Sequence, residues 1–510
     1  METLGYIATI WSDPSIILLT ALGTFAGIYV GAIPGLSVTM AVTILMSFTF
    51  RWEVDSAMAL MIGVYMGGVY GGARSAILLN IPGTPSSIAT SLDGYPLAKK
   101  GEAGQTIGLA TLVSGVGGFV GIALLVVGAP FVSEFALRFQ PRDYFLVALL
   151  GLLLVGTLSR QSLAKGIFCA AFGIWVGTIG LDTMTAKERF TFGELSLWNG
   201  ISPVVAMIGL FGVAEAFRQL HDLGTPKVAQ AITRILPEWR RFRRYIPLAL
   251  SSGLIGSAIG ALPGAGGDIA SLIAYDFAKR TTKNPEVPFG EGAREGVVAP
   301  EAANNGSVGG AFIPMLTLGI PGDAVTAVFI GAMFIHGLNP GPLLLIESPH
   351  IFTFIATVLM AANIFMVIFG LGGVRLFTRI AEAPKGLIIP LILVISVVGA
   401  YSIANSIADV YWVLLFGVVG YVFKRFEFDV GPIVLGIILS RIIEDNIRRT
   451  LISAQESVAV AFSDALGSPL TLTLMLTISL LIFTQTPLFS RIRARLTPGA
   501  SSGGPGSWPG

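Results

Sequence analysis

The chain has 510 residues, 53% of them hydrophobic and only 12% charged, with a formal net charge of +2. Ordinary soluble domains carry about 25% charged residues, so this composition excludes a soluble globular enzyme, a disordered chain and a nucleic-acid binder. It fits a polytopic protein whose solvent is the lipid bilayer.

Apolar segments able to cross about 30 Å of hydrocarbon follow one another near 15–33, 57–79, 105–130, 143–159, 163–181, 200–220, 246–262, 309–335, 351–373, 386–402, 408–423 and 469–488. They predict an all-α polytopic membrane protein with about 12 transmembrane segments. Shorter stretches near 36–50, 264–278 and 430–443 read as half-helices. No Lys or Arg precedes the first segment, so it is expected to stay as membrane structure rather than act as a cleaved signal. Two stretches read as aqueous. Asp222–Tyr245 carries Lys227, Arg234, Arg240, Arg241, Arg243 and Arg244, and Lys279–Glu295 carries Lys279, Arg280, Lys283 and Arg294. The tail from Thr497, rich in Gly, Ser and Pro, is expected to be disordered. The 63 glycines and 28 prolines predict close-packed helices with many interruptions.

The chain also repeats itself. Gly31-Ala-Ile-Pro34-Gly35 returns as Gly260-Ala-Leu-Pro263-Gly264, and Asn80-Ile-Pro82-Gly83-Thr84 returns as Gly319-Ile-Pro321-Gly322-Asp323. Val155-Gly156 with Ser159 returns more weakly as Val398-Gly399 with Ser402. The order is kept and the offsets drift from 229 to 243, as small insertions in a duplicated chain would produce. Basic flanks enclose Ile246–Ala278 but not 15–50. Past the second Pro-Gly pair the bias reverses, with Lys99-Lys100 in the first copy and no Lys or Arg from 295 through 374 in the second. The positive-inside rule then predicts two inverted repeats with broken helices or re-entrant hairpins. The expected organisation is a first repeat over 1–220 with tips near 34 and 82, and a basic cytoplasmic connector over 221–245. A second repeat follows over 246–445 with tips near 263 and 321, then a C-terminal segment over 446–490 holding the last span, and a disordered tail over 491–510.

Proline inside an apolar helix removes a hydrogen bond and clashes with the preceding turn, and a neighbouring glycine permits the resulting bend. Such irregular backbone survives at membrane depth only where it is buried or lines a wet cavity. Each break starts a half-helix whose bare N–H groups and positive dipole end suit a carboxylate. Ser37 and Thr39 follow the first break. Thr84, Pro85, Ser86 and Ser87 follow the second, with Thr84 reading as N-cap. In the second copy the matching residues are acidic, Asp268 and Asp323. Neutral caps leave donors free for an anion, whereas an aspartate beside an anion calls for a cation between them. Anion contacts are therefore expected mainly in the first copy and cation coordination near the second; plain helix capping by Asp268 and Asp323 is the alternative.

Arg74, inside an apolar segment, is a candidate for a bidentate contact to a substrate carboxylate, with snorkelling or a structural pairing as the alternative. Glu301, Asn304 and Asn305 share a helix face by spacing and form a candidate polar wall, or else packing glue between helices. The substrate candidates are Ser37, Thr39, Arg74, Asn80, Pro82, Gly83, Thr84, Ser86, Asn304, Asn305 and Gly322. The cation candidates are Gly264, Asp268, Glu301 and Asp323. No Gly-Lys dipeptide occurs, so no Walker A phosphate loop is present. Three histidines and one cysteine give no transition-metal pattern. No cofactor is expected beyond a sodium ion or proton as coupling ion.

Several of these motifs together resemble the large membrane subunit of the bacterial tripartite tricarboxylate transporter family. The resemblance rests on Gly31–Gly35, Tyr70-Gly71-Gly72 through Leu78-Leu79-Asn80-Ile81-Pro82-Gly83-Thr84-Pro85, Leu92-Asp93-Gly94-Tyr95-Pro96 and Gly101-Glu102-Ala103-Gly104. It continues in Leu262–Gly267, Ala299–Asn305 and Leu318–Gly322, and covers roughly 15–440. It implies a multi-pass symporter of the bacterial inner membrane for carboxylate anions. It also implies a small four-helix membrane subunit and a periplasmic solute-binding protein as partners, and an elevator-like motion. A membrane-embedded enzyme, such as a lipid transferase, and a passive anion channel are the competing readings.

Overall fold

The computed structural model describes residues 2–33, 36–158, 163–182, 184–220, 234–374, 376, 385–455 and 457–484. The fold is mostly helical. In chain order, the first half contains α1 (Glu2–Ser12), α2 (Pro14–Ala32), α3 (Val38–Thr49), α4 (Val54–Leu79), α5 (Ile88–Leu97), α6 (Ala103–Ala136), α7 (Pro141–Leu158), α8 (Leu163–Gly177), α9 (Pro203–Met207) and α10 (Ala214–Gln219). The rest contains α11 (Trp239–Gly260), α12 (Gly266–Thr281), α13 (Glu295–Leu318), α14 (Ala324–Ile335), α15 (Leu344–Glu347), α16 (Pro349–Gly372), α17 (Lys385–Ala404), α18 (Ile407–Arg425), α19 (Gly431–Ser453), α20 (Val458–Leu466) and α21 (Pro469–Thr484). A short antiparallel pairing of β1 (Gly180–Leu181) with β2 (Glu188–Arg189) interrupts the helices.

Five helical stretches among the described residues are long and apolar enough to cross a bilayer: Pro14–Ala32, Val54–Leu79, Pro85–Ala136, Pro349–Gly372 and Ile407–Arg425. Val458–Leu466 with Pro469–Thr484, bent by 99°, makes a sixth if counted as one span. The count of about twelve from the sequence goes beyond this. Much of the apolar chain is packed into short helices such as α3 and α14, each of 12 residues. Where the sequence runs on as one apolar segment over 309–335, the chain stops at Leu318, turns, and restarts at Ala324. The helix Gly431–Ser453 runs through position 445 without interruption. The connector over 221–233 and the tail from 485 lie outside the described residues, as do Pro34 and Gly35.

Glycine spacing brings α2 and α4 into backbone contact. A Cβ at Gly27 would stand 2.3 Å from the carbonyl oxygen of Val64, and one at Gly67 2.2 Å from that of Thr24. In lipid, helices associate by such close packing rather than by hydrophobic exclusion. The pair α11 and α13 is built alike: a Cβ at Gly256 would stand 2.0 Å from the carbonyl oxygen of Ala303, and one at Gly310 2.2 Å from that of Ser257.

The ends of α4 and α13 also match. Each stops on a left-handed residue, Asn80 (φ 56°) and Gly319 (φ 70°), and a Pro-Gly turn follows. A Cβ on Gly83 would come within 2.1 Å of the Gly31 carbonyl oxygen, and one on Gly322 within 2.6 Å of the Gly260 carbonyl oxygen. Each tip is therefore pressed onto the end of its neighbouring glycine helix, and only a residue without a side chain fits. Between α11 and α12 the break uses two glycines with positive φ, Gly264 (74°) and Gly266 (56°).

A buried carboxylate ties the halves together. Asp93 Oδ1 accepts the backbone N–H groups of Gly290 (2.8 Å), Gly292 (2.8 Å) and Ala293 (2.7 Å), while Oδ2 accepts the Tyr275 hydroxyl (2.8 Å). Around it Arg294 pairs with Glu102 at 2.6 Å, and Lys100 donates to the Glu291 carbonyl at 2.8 Å. The linker between α12 and α13 is thus fastened to α5 and the turn after it.

Candidate functional site

All four predicted breaks send residues to one cavity of about 600 Å³. Leu36–Thr39 and Pro82–Ser86 line it from the first half, and Gly264–Asp268 and Asp323–Val325 from the second. Tyr65, Asn304 and Ser307 complete the middle, and the ends of α10 and α18 with the start of α19 form a further wall.

Three of the half-helix starts are capped by side chains as their local sequence dictates; α12, whose N-cap is Ala265, is not. Ser37 Oγ accepts from the Met40 N–H at 3.0 Å and opens α3. Thr84 sits in extended backbone; its N–H donates to Ser87 Oγ (3.3 Å), its Oγ1 shares a hydrogen bond with Ser86 Oγ (2.9 Å), and Pro85 begins the helical turn. Asp323 forms a full capping box: Oδ1 accepts the Thr326 N–H at 2.8 Å, and Thr326 Oγ1 accepts the Asp323 N–H at 2.9 Å. Its Oδ2 accepts the hydroxyl of Tyr65, which is 1% exposed and packs on Phe312 and Phe329 with ring centroids 6.0 Å away. The capping alternative for Asp323 is therefore realised, and one of its oxygens is directed to the first half at the same time. Asp268 lies in the first turn of α12 and faces the cavity.

Of the sequence candidates, Ser37, Thr39, Pro82, Gly83, Thr84, Ser86, Asn304, Gly264, Asp268 and Asp323 line this cavity together. Five lie elsewhere. Asn80 is the exposed cap of α4 and Gly322 is buried against Ala311 and Gly260. Arg74 is 2% exposed and donates to the Gly370 carbonyl (2.6 Å) and the Tyr70 hydroxyl (3.2 Å), joining α4 to α16. The polar wall on α13 divides. Asn304 borders the cavity and donates to the Val69 carbonyl at 3.1 Å. Glu301, fully buried, accepts from Thr90 Oγ1 (2.5 Å) and Ser114 Oγ (3.2 Å), and Asn305 donates back to the Glu301 carbonyl at 3.2 Å. Glu301 thus joins α5, α6 and α13 behind the cavity.

Four charged lining residues escaped the sequence reading: Glu215, Arg218, Lys424 and Asp429. Glu215 on α10, 5% exposed at its side chain, accepts from Arg218 Nε (2.9 Å) and Nη2 (2.5 Å) and from Lys424 Nζ (2.9 Å) on α18. The carboxyl-to-lysine link spans 209 positions, so no local spacing announces it. A six-residue π-helical stretch, Ile208–Val213, leads directly into Glu215 and is a signal the sequence does not carry. With Asp268, Asp323 and Asp429, four carboxylates and two cations line the cavity. It combines neutral half-helix starts with acidic ones around the same space.

A cavity built on interrupted helices inside an apolar helical body defines the class of protein: a membrane transporter. The family follows from comparison. Residues 17–435 match the tripartite tricarboxylate transporter TctA family, and the chain belongs to that family. It is similar to an Agrobacterium vitis protein described as the uncharacterized 52.8 kDa protein in the TAR-I ttuC' 3' region, 36% identical over 452 residues that cover 88% of this chain and 89% of that one. A second Agrobacterium vitis protein, described as uncharacterized and in the TAR-II ttuC' 3' region, is 36% identical over 215 residues, 42% of this chain and 88% of its own. No solved structure matches the chain. Family membership makes this a membrane subunit of a tripartite tricarboxylate transport system that works with other subunits.

Proposed function

We propose that the chain carries carboxylate anions inward across the bacterial inner membrane in symport with a cation, sodium or proton. A periplasmic solute-binding protein delivers the anion, and a small four-helix subunit stands beside the transport body. The observation that carries this reading is the meeting of four half-helix starts at one cavity. A carboxylate is held there by the N–H groups and hydroxyls of the first-half tips, Ser37–Thr39 and Thr84–Ser86. Asp268 and Asp323 face the same space, and a cation beside them offsets their repulsion of the substrate.

Matched tips on paired glycine helices support the reading as two inverted repeats. The end of α10 leads into the basic connector, which the positive-inside rule assigns to the cytoplasm. Arg218 and Lys424, on α10 and α18, then belong to the cytoplasmic side. Movement of the tips with α12 and α13 as one body, fastened through Asp93, suits an elevator motion.

Uptake of labelled citrate and succinate into proteoliposomes, with the partner subunits and binding protein added, tests the proposal with and without a sodium gradient and a pH gradient. Accumulation driven by one of the gradients is the expected result. Equilibration without accumulation points to a channel, and chemical conversion of the label points to an enzyme; either overturns the symport reading.

A further inference from the structure

We infer that the face of α13 carrying Asn304 and Ser307 forms a sodium seat against the start of α12. The inference rests on the cation-symport reading and deepens it, by naming the ion and two neutral ligands that the acidic tips alone do not supply.

Asn304 and Ser307 are each 2% exposed, stand three positions apart on α13 and line the cavity. Each has its hydrogens turned away from it. The Asn304 amide nitrogen donates to the Val69 carbonyl at 3.1 Å, which fixes which way the amide points. Among the described residues nothing donates to its Oδ1. The Ser307 hydroxyl gives its proton to the Asn304 carbonyl at 2.7 Å, so Oγ is left with lone pairs alone. The two oxygens meet at one place. A Cβ on Gly267 would stand 2.4 Å from Asn304 Oδ1 and 3.0 Å from Ser307 Oγ. Glycine at 267 is thus what lets both oxygens come up against the first turn of α12.

The acidic tips adjoin this place. A Cβ on Gly266 would stand 3.1 Å from Asp323 Cβ, so the start of α14 meets the start of α12 here. Asp268, in the first turn of α12, faces the same cavity and offsets the positive end of its helix. Buried lone pairs without donors are costly beside carboxylates, and a cation relieves them where a substrate carboxylate would meet them head on. The ion is monovalent by its surroundings. Asp323 already has Oδ1 on its own helix start and Oδ2 on Tyr65, so the oxygens on offer are largely neutral. Carbonyl and hydroxyl oxygens do not favour a soft transition metal, and with so little added negative charge a magnesium ion keeps its water. Sodium is the small monovalent ion that remains. Once seated, it turns this wall from acceptor to positive, so the ion binds first and raises the affinity of the anion that follows.

Melting of the purified full-length chain in nanodiscs across a sodium titration, balanced with choline and compared with potassium and magnesium, tests this. The wild type should be stabilised saturably by sodium, not by choline, and less by the other two. Asn304→Ala and Ser307→Ala should each raise the sodium concentration for half effect about tenfold or more. Gly267→Ala should do the same by forcing the two oxygens away. Citrate binding to Ser307→Ala, read by calorimetry, should be weak at low sodium and recover at high sodium, a rescue that a merely structural loss does not give. Should Asn304→Ala fail to fold, Ser307→Ala carries the same test. The seat is rejected by a wild type that sodium does not stabilise, by equal midpoints in wild type and Ser307→Ala, or by citrate affinity lost with sodium affinity intact. The symport reading survives each of these if a pH gradient drives uptake, and falls only if neither gradient does.

Discussion

The two Pro-Gly tips share a backbone and differ in chemistry. Both follow a left-handed helix end, at Asn80 and Gly319, and both press a glycine onto a glycine-helix carbonyl. The first then presents Thr84, Ser86 and Ser87 bonded to one another; the second presents Asp323, shared between its own helix and Tyr65. The first continues into α5, where Asp93 fastens it to the other half. The turn is fixed by glycine, proline and the helix pair beneath it, so the capping position is free to be neutral at one tip and acidic at the other.

The largest test of this comparison is Asp93→Ala. Four donors, three of them backbone, lose a charged acceptor in a buried place, which costs on the order of 3 kcal/mol or more. A large drop in melting temperature of the detergent-solubilised chain is expected, with the first tip becoming accessible to hydrogen exchange before the second. Equal exposure of both tips would mean that Asp93 is not what distinguishes them.

Next come the glycines on which both tips rest. Gly83→Ala and Gly322→Ala each push a methyl group into a carbonyl oxygen, and overpacking of this sort costs about 1–3 kcal/mol. The loss should be greater at Gly83, where the added Cβ would meet its nearest backbone atom at 2.1 Å, against 2.5 Å (Ala311 Cα) at Gly322. Thermal unfolding of the two variants side by side checks the order.

The caps give a smaller and more informative effect. Thr84→Ala should cost about 1 kcal/mol of stability and weaken citrate binding without altering its sodium dependence. Asp323→Asn should leave citrate contacts largely in place and reduce the dependence on sodium. Calorimetric titrations at several sodium concentrations separate the two. If both variants respond alike, the neutral and acidic tips do not divide the work between anion and cation.

The mildest test lies outside the tips, in the hairpin before α9. Backbone N–H donation from Thr185, together with Arg448, holds the Asp182 carboxyl well below the usual range. Arg448 and Arg189 also share Glu444 there. A lowered folded-state pKa stabilises above the unfolded value, and that contribution fades as pH falls through the folded one. Melting temperature should therefore decline on acidification below the normal carboxylate range, and Asp182→Asn should flatten that slope. An unchanged slope would remove Asp182 as its source.

Much of this site was legible because it is written in local rules. Proline removes a donor, glycine permits the bend, and Ser, Thr or Asp caps the restart, so the four breaks and most of the first-half contacts follow from short motifs. Arg74 was harder. Its burial in an apolar run is readable, but its partner Gly370 stands 296 positions away, and the sequence gives no reason to prefer that carbonyl over a substrate. Glu301 and Asn304 share a stripe by spacing, yet the neighbours on the two sides of α13 differ, so one meets hydroxyls and the other the cavity. Glu215 and Lys424 needed two distant helix ends to meet, which no periodicity encodes. The number of spans is not decided by hydropathy alone, which measures how apolar a stretch is and not whether it turns back, as the chain does between Leu318 and Ala324.

Asp93 also constrains how the protein is made. Its most distant partner, the N–H of Ala293, lies 200 residues further along the chain. During synthesis the first half enters the membrane with this aspartate still lacking its four donors, and the ribosome must deliver the whole of the connector, α11 and α12 before the knot can be drawn. The finished shape of residues 80–97 is therefore a late event in biogenesis, set by residues that do not yet exist when that stretch is inserted.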